Sequence, residues 1–566
     1  SPCHILSPQL KSINPTPCST MFRQLMKRRG LLFAFLLLPP SALAAPAGSA
    51  EKSPRIEVSS PCDKFPRNSI SPARVLIENV PNGKDTHTFE FQTLWNDNSR
   101  QRYSFSVPPG QTRQAVIYPS MTDIQLLYRY RNSVDESISL FAVSEDAPFF
   151  AVLQEKTPSE WNMLSHSPFN AQVNTFDLMD WPADYRMYAA QNCIIIPEKL
   201  YASYLDEPHR KALRQWVLGG GSLWLIGDRG RKITAAPLGR GLILHVPSLE
   251  GMTDKEKEAA LLKLKTETKD IFPVKVDGYY DTPFHPKTPD AFPYFFTTPS
   301  FLLGLILAAF AVLVGPVCLL RWAPVGKRQR LFILIPSISL GISILLAAVI
   351  LIGDGTGGRG SRAVHILVNP QDHTGLITQS QVCQTLILTN NEFTLPEDVH
   401  LQGCRLEKEK FQTFHANGYA REKLENYLRE GNLCSGGWFT SRSTLEHRLT
   451  RPITTRAAVT VIPMPQPDGA PVLQSTFPGA LSNLIYRDAS GTYWRIPNLP
   501  PGERKTAVRS EKIPSETPPP GHFHAEMIST EGELGPIPTL DSIKWENTRI
   551  TVSGPAAGNQ PLPQQP

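Results

Sequence analysis

None of the eight cysteines stands in CxxC spacing with another, which excludes a zinc ribbon and a thioredoxin-type redox motif. An excess of charge of one sign is also missing. Lys and Arg number 57 and Asp and Glu 51, so the formal charge is only +6 over 566 residues. No long basic stripe gathers that charge, and a nucleic-acid partner is not expected. Charged residues make up 19% against 41% hydrophobic, which excludes a chain too polar to build a core. At this length one core does not suffice, so several domains are expected. Proline, in contrast, is plentiful: 53 residues, well above the roughly 5% of an average chain. That favours short strands, turns and linkers over long helices.

Two apolar runs lack any ionisable residue. Residues 301–322, up to Leu320, and residues 331–352 are each long enough to span a bilayer as a helix. Arg321, Lys327, Arg328 and Arg330 lie between them, and short basic loops stay on the cytoplasmic side. Without an ionisable residue the pair has no proton relay or ion path, and an anchor is the simpler reading. Residues 26–44 read as a secretory signal peptide. Lys27, Arg28 and Arg29 precede a short apolar run, Pro39 and Pro40 break it, and Ala42-Leu43-Ala44 forms an A-x-A site. Residues 1–25 carry no signal character, are not expected to be structured, and suggest Met21 or Met26 as the natural start. These cues place the chain in the inner membrane of a bacterium, with its bulk periplasmic or otherwise extracytoplasmic.

The rest reads as a multi-domain mixture of α/β and all-β parts. Residues 55–145 carry period-two alternation, as in Phe89-Glu90-Phe91 and Tyr103-Ser104-Phe105, and suggest an Ig-like β-sandwich. Residues 146–270 alternate strand and helix. Cys193-Ile194-Ile195-Ile196 is a continuous run suited to a strand buried on both faces. Asp206 and Pro208 open a helix with Leu213, Trp216 and Val217 on its apolar side. Strands at 222–226 and 241–246 complete a small doubly wound α/β domain. Thr253 and Glu256 form a capping box for a charged helix whose thin apolar side is Leu261, Leu262 and Leu264. The glycine-rich stretch 353–360 reads as a flexible linker rather than a phosphate loop, because it follows no strand. Residues 363–530 form a C-terminal β-rich domain, with one helix expected near 420–430. There Tyr493-Trp494-Arg495-Ile496 and Pro500-Pro501-Gly502 echo Phe105-Ser106-Val107 and Pro108-Pro109-Gly110. Residues 531–566 read as a mostly disordered proline-rich tail, with a short strand at 549–552 its one ordered candidate.

Trp181-Pro182, Tyr188, residues 193–196 and Ala212-Leu213-Arg214-Gln215-Trp216-Val217-Leu218-Gly219-Gly220-Gly221-Ser222-Leu223 carry a resemblance. They resemble the class I glutamine-amidotransferase-like domain of bacterial membrane proteins, which lies between a β-sandwich and a membrane hairpin. Val314-Gly315-Pro316-Val317 and Ile335-Pro336 in the hairpin are similar too. The resemblance implies a flavodoxin-like fold in a binding or scaffolding module. The pattern departs from true amidotransferases, which place a cysteine at a glycine-flanked elbow after a strand. Here Gly227-Asp228-Arg229-Gly230 follows the strand instead, and Cys193 opens its strand between Asn192 and Ile194. The domain is therefore expected to be catalytically degenerate.

Candidate sites follow from these placements. Gly227, Asp228, Arg229 and Gly230 form a turn where a ligand can approach the backbone and Arg229 can hold an anion. A Cys193–His245 pair assisted by Glu250 is the weaker, catalytic alternative. Cys383 and Cys404 are a candidate disulfide closing about 20 residues, a loop worth ~3 kcal/mol, in competition with Cys434 and Cys62. His522, His524 and Glu526 have metal-like spacing on a strand but no fourth ligand, so no metal and no cofactor are expected. The leading function is a non-enzymatic, membrane-anchored binding or scaffold protein with envelope protein partners. The alternatives are an extracytoplasmic hydrolase or transferase and an accessory subunit of a transport complex.

Overall fold

The computed structural model describes residues 54–558, apart from 63–64, 67–68, 71, 81–85, 95–99, 119, 122–123, 131–132, 141, 144–147, 154–162, 167, 177–182, 229–231, 250–251, 268–299, 323–325, 327, 405–425, 463–468, 511–516 and 529–531. The expected signal at 26–44 and the candidate residues Arg229, Gly230 and Glu250 lie outside the described residues.

The first module has two layers. Strands Arg55–Ser59, Ala73–Glu78 and Arg113–Ile117 form one antiparallel sheet. Strands β1 (His87–Leu94) and β2 (Arg100–Val107) belong to the other. Val75, Ile77, Phe89, Phe91 and Val107 fill the space between them, as alternation predicts. The Pro-Pro-Gly echo is real in local geometry. Gln111 N–H donates to Pro108 O and Glu503 N–H to Pro500 O, both at 3.3 Å, with Gly110 and Gly502 at φ 69° and 75°. These are type II turns, which need glycine at that place.

The α/β module follows: β3 (Phe149–Leu153), β4 (Gln172–Phe176), β5 (Cys193–Pro197), α1 (Glu198–Ser203), α2 (Glu207–Gly219), β6 (Ser222–Gly227), β7 (Thr234–Leu238), β8 (Gly241–Pro247) and α3 (Asp254–Glu267). Its sheet runs β4-β3-β5-β6-β8-β7, parallel except for β7. α2 starts where expected, with Asp206 Oδ1 accepting from His209 N–H at 3.0 Å. Leu213, Trp216 and Val217 pack on one face of the sheet with Ile194, Ile196, Leu223 and Leu225. Leu261 and Leu264 of α3 pack on the other face with Cys193, Ile195 and Trp224. Leu262 does not join them and is 59% exposed, because a residue one step along a helix points away from its neighbour's face.

Helix α4 (Ser300–Val312) continues as a π-helical stretch through Leu313–Trp322, which contains Pro316. A proline removes one rung of the hydrogen-bond ladder and widens it locally. Helix α5 (Leu331–Asp354) returns. Both, over Gly304–Trp322 and Arg328–Val349, are long and apolar enough to cross a membrane. Phe301 and Phe332 stand 78% and 86% exposed, an apolar surface suited to an apolar solvent.

The C-terminal module contains β9 (Gly358–Asn369), β10 (Thr374–Thr385), β11 (His400–Cys404), β12 (Asn426–Glu430), β13 (Leu433–Gly436), β14 (Thr444–Thr454), β15 (Leu481–Arg487), β16 (Tyr493–Leu499), β17 (Val508–Arg509), β18 (His522–Met527) and β19 (Ile543–Pro555). Nine strands form one sheet in the order β11-β14-β10-β9-β19-β18-β15-β16-β17. Four expectations fail here. The stretch 353–360 is no loose linker: β9 begins at Gly358, four residues past α5, and Gly357 donates to Ile387 O at 3.0 Å. Gly357 sits at φ 86°, where a Cβ would meet Ser542 O at 2.3 Å, so the glycine serves close packing rather than flexibility. Of the helix expected near 420–430, residues 420–425 lie outside the described residues, and 426–430 form strand β12, where tertiary pairing overrides local propensity. The tail expected to be disordered is ordered over 532–558. β19 lies between β9 and β18, and Leu534, Ile537 and Leu540 enter the core. Gln379 grips that segment, accepting from Ile537 N–H at 2.8 Å and donating to Ile537 O at 3.0 Å.

The fourth correction concerns domain independence. β12 pairs in parallel with β2, so four strands of the first module join β12, β13 and the short strand Phe393–Thr394 in one seven-stranded sheet. The chain leaves this sheet, builds the α/β module and the hairpin, and returns to complete it.

Candidate functional site

The carboxyl ends of β5, β6 and β8 bring four polar side chains to one edge of the α/β sheet. Lys199 Nζ lies 3.8 Å from Asp228 Oδ1, and each side chain is 90% exposed. His245 Nδ1 lies 3.5 Å from Glu198 Oε1, with both side chains about a quarter exposed. Ligands of open parallel sheets bind at such an edge. Of the predicted turn, Gly227 ends β6 and Asp228 follows it, paired with a lysine from the start of α1.

The Cys193–His245 pair weighed as the catalytic alternative does not form. Cys193 packs with Ile195, Trp224 and the α3 side chains, whereas Ile243, two residues before His245, packs on the α2 side. Alternate residues of a strand share a face, so His245 belongs to the α2 side and the sheet separates it from the thiol. Burial pushes the Cys193 thiol well above its ordinary value, outweighing a hydrogen bond with Ser222 that favours the thiolate. A thiol held protonated is a poor nucleophile. The carboxylate that meets His245 is Glu198.

Cys383 and Cys404 are not joined. Cys383 stands opposite Leu445 on β10 and Cys404 opposite Glu446 on β11, with β14 between the two strands. Two strand spacings are about 9.5 Å, beyond the reach of about 7 Å between Cα atoms that a disulfide needs. Cys193, Cys318, Cys383 and Cys434 carry free, buried thiols, and burial pushes those of Cys383 and Cys434 up to about 12 and about 11. His522, His524 and Glu526 lie on strand β18 as expected, but His522 is buried and Glu526 pairs with Arg549 at 2.7 Å. Among the described residues no group of three metal-ligating side chains gathers.

A polar constellation among the described residues lies where the modules meet. Arg186, in the turn Tyr185–Tyr188, donates to both oxygens of Asp184, with Nη2 2.5 Å from Oδ2 and Nε 3.0 Å from Oδ1. Its guanidinium lies 4.0 Å from the Tyr118 ring of the first module. Its Nη1 donates to Glu397 O of the C-terminal module at 3.0 Å. Arg429 of β12 collects the carbonyls of Val399 and Pro396 at 2.9 and 3.0 Å from the same loop. Burial, helped by the charges of Arg186 and Arg429, holds His400 down to about 3. Burial and the Asp184 carboxylate raise the Tyr118 phenol. A second clamp joins α2 to the C-terminal sheet: Arg214 Nε donates to Asp372 at 2.6 Å, and its other nitrogens reach Tyr201 and Glu207. Sequence reasoning missed these residues because the ties to the C-terminal module, Arg186 to Glu397 and Arg214 to Asp372, span 211 and 158 positions.

The chain matches no family model and no curated protein. Among solved structures it is similar to a yeast delta-COP-I mu-homology domain complexed with a Dsl1 WxWxV peptide, at 10% identity and TM-score 0.18. That match covers 35% of this chain and 95% of the other. It is also similar to a Paenibacillus sp. cycloisomaltooligosaccharide glucanotransferase complexed with cycloisomaltoheptaose, at 9% identity and TM-score 0.18. There the match covers 38% of this chain and 36% of the enzyme. At that score neither likeness bears on function.

Proposed function

We propose that this chain is a membrane-anchored binding or scaffold protein of the bacterial envelope, with most of its mass outside the cytoplasm and protein partners there. The observation that carries this reading is the Arg186 junction. One guanidinium touches all three extramembrane modules and holds them in one arrangement, as suits a scaffold. The α/β strand order supports the resemblance to a degenerate amidotransferase-like domain: β4-β3-β5-β6 is the 2-1-3-4 order of flavodoxin-like sheets. Burial of Cys193, on the face away from His245, argues against a cysteine hydrolase. The apolar hairpin supplies the anchor, and the short basic loop favours extracytoplasmic modules. Crosslinking in native membranes followed by purification in mild detergent tests the proposal. A stoichiometric partner lost on Arg186→Ala, in a variant still in the membrane, supports it; a chain that crosslinks only to itself sinks it.

A hydrolase or transferase reading has one observation in its favour, the Glu198–His245 contact at the carboxyl edge. A carboxylate facing a ring nitrogen orients an imidazole for proton transfer. The described residues place no hydroxyl or thiol nucleophile with it, so it remains the second reading.

A further inference from the structure

The α/β module rests on the nine-stranded sheet through α2, and the sheet face beneath it is not uniformly apolar. Leu367 and Leu376 join the α2 core, but His365 lies on that same face of β9, only 3% exposed. Its Nδ1 is 2.7 Å from Thr551 Oγ1 and its Nε2 3.1 Å from Ser553 Oγ, both on β19. The His524 ring of β18 stacks on it with centroids 6.3 Å apart and planes 19° apart. Arg240, in the turn between β7 and β8, carries the charge that the α/β module presents to the ring; its N–H bonds Leu218 O at the end of α2. The other facing groups are neutral or paired. Thr378 is the β10 neighbour, Arg549 and Glu526 hold each other at 2.7 Å, and Arg214 of α2 is held by Asp372 and Glu207.

Both ring nitrogens are matched to hydroxyls while the ring is neutral. A second proton would place a cation beside Arg240 and His524 in a site closed to water. Burial, then Arg240, then His524 hold this imidazole well below its ordinary value. We propose that His365 is an acid-sensitive latch: proton uptake at the His365–His524 stack, facing Arg240, loosens the α/β module from the nine-stranded sheet while the sheet stays folded. A ring harder to protonate docked than exposed takes its proton on release, so release is favoured as pH falls below the free imidazole value of about 6.5.

Hydrogen exchange on the full chain in detergent, corrected for intrinsic rates, reads this directly. Between about pH 7 and about pH 5, opening of the α2 amides should rise by up to about tenfold per pH unit, the limit for one linked proton. The β16 amides, at the other end of the sheet from His400 and His447, should stay protected. His365→Gln should flatten the α2 response, and His524→Gln, at a half-buried position, should weaken it if the first variant folds poorly. The proposal is overturned if α2 opening does not depend on pH. It also falls if β16 opens in step with α2, or if both variants respond to acid like the wild type.

Discussion

The carboxyl edge of the α/β sheet and the Arg186 junction are both built of opposite charges, yet they differ in every physical respect. At the edge, Lys199 and Asp228 meet at 3.8 Å with each side chain 90% exposed, so water screens them. At the junction, Arg186 and Asp184 are 11% and 21% exposed, their hydrogen bonds are doubled, and an aromatic ring and a carbonyl complete the shell. The edge pair is free to respond to a ligand but contributes little to the fold. The junction is costly to desolvate and tolerates no vacancy. Among the described residues, Arg186–Asp184 and Arg214–Asp372 put largely buried ionic contacts where modules meet, whereas the Lys199–Asp228 pair at the edge lies open to water.

The most severe way to break that contrast is Arg186→Ala, which leaves Asp184 partly buried without its cation. It should cost about 3–5 kcal/mol, read as a fall in thermal midpoint. Arg186→Lys should recover only part, since a lysine cannot form the paired bonds and stack on Tyr118 as well. Acid attacks the same region. His400 and His447 are held to about 3 and about 4, chiefly by burial, so both stay neutral in the fold while the unfolded chain binds protons below about 6.5. Their contribution is whole above that value and falls as pH drops toward the folded values. By about pH 5 each should have cost about 2 kcal/mol, and His447→Gln should flatten the curve of denaturation midpoint against pH. Gln379→Leu should cost about 2–3 kcal/mol by stranding Ile537 N–H and C=O, and proteolysis should then nick the chain near 532–542. Gly357→Ala should cost about 1–3 kcal/mol, while Gly304→Ala, where a Cβ meets nothing within 4 Å, should leave the unfolding midpoint unchanged. At the far end of the scale, Asp228→Ala should not move thermal stability at all; a measurable drop would mean that the edge is built more like the junction.

The parts legible in sequence are those written in local pattern. The run Cys193 to Ile196, the Asp206 cap with Pro208, and the two apolar helices all carry their signals within a few residues. The illegible parts depend on distant partners. β19 is flanked by proline-rich text and looked like tail, but its partners β9 and β18 make it a central strand. Residues 426–430 form a strand because β2, more than 300 positions earlier, offers them an edge. At the candidate edge the sequence supplied Asp228 and His245, but the pairing register assigned His245 to Glu198 rather than to Cys193. Glycines at 355, 357, 358 and 360 looked like flexibility, and at 357 the cause is the approach of the Ser542 carbonyl.

Whether the protein binds without catalysing is tested most directly by turnover. The purified full chain, with Cys193→Ala and His245→Ala beside it, is assayed against amide, ester and glycosidic substrates. No turnover above background in any of the three is the predicted result. A measurable activity in the wild type that either substitution abolishes would contradict it and restore the carboxyl edge as an active site.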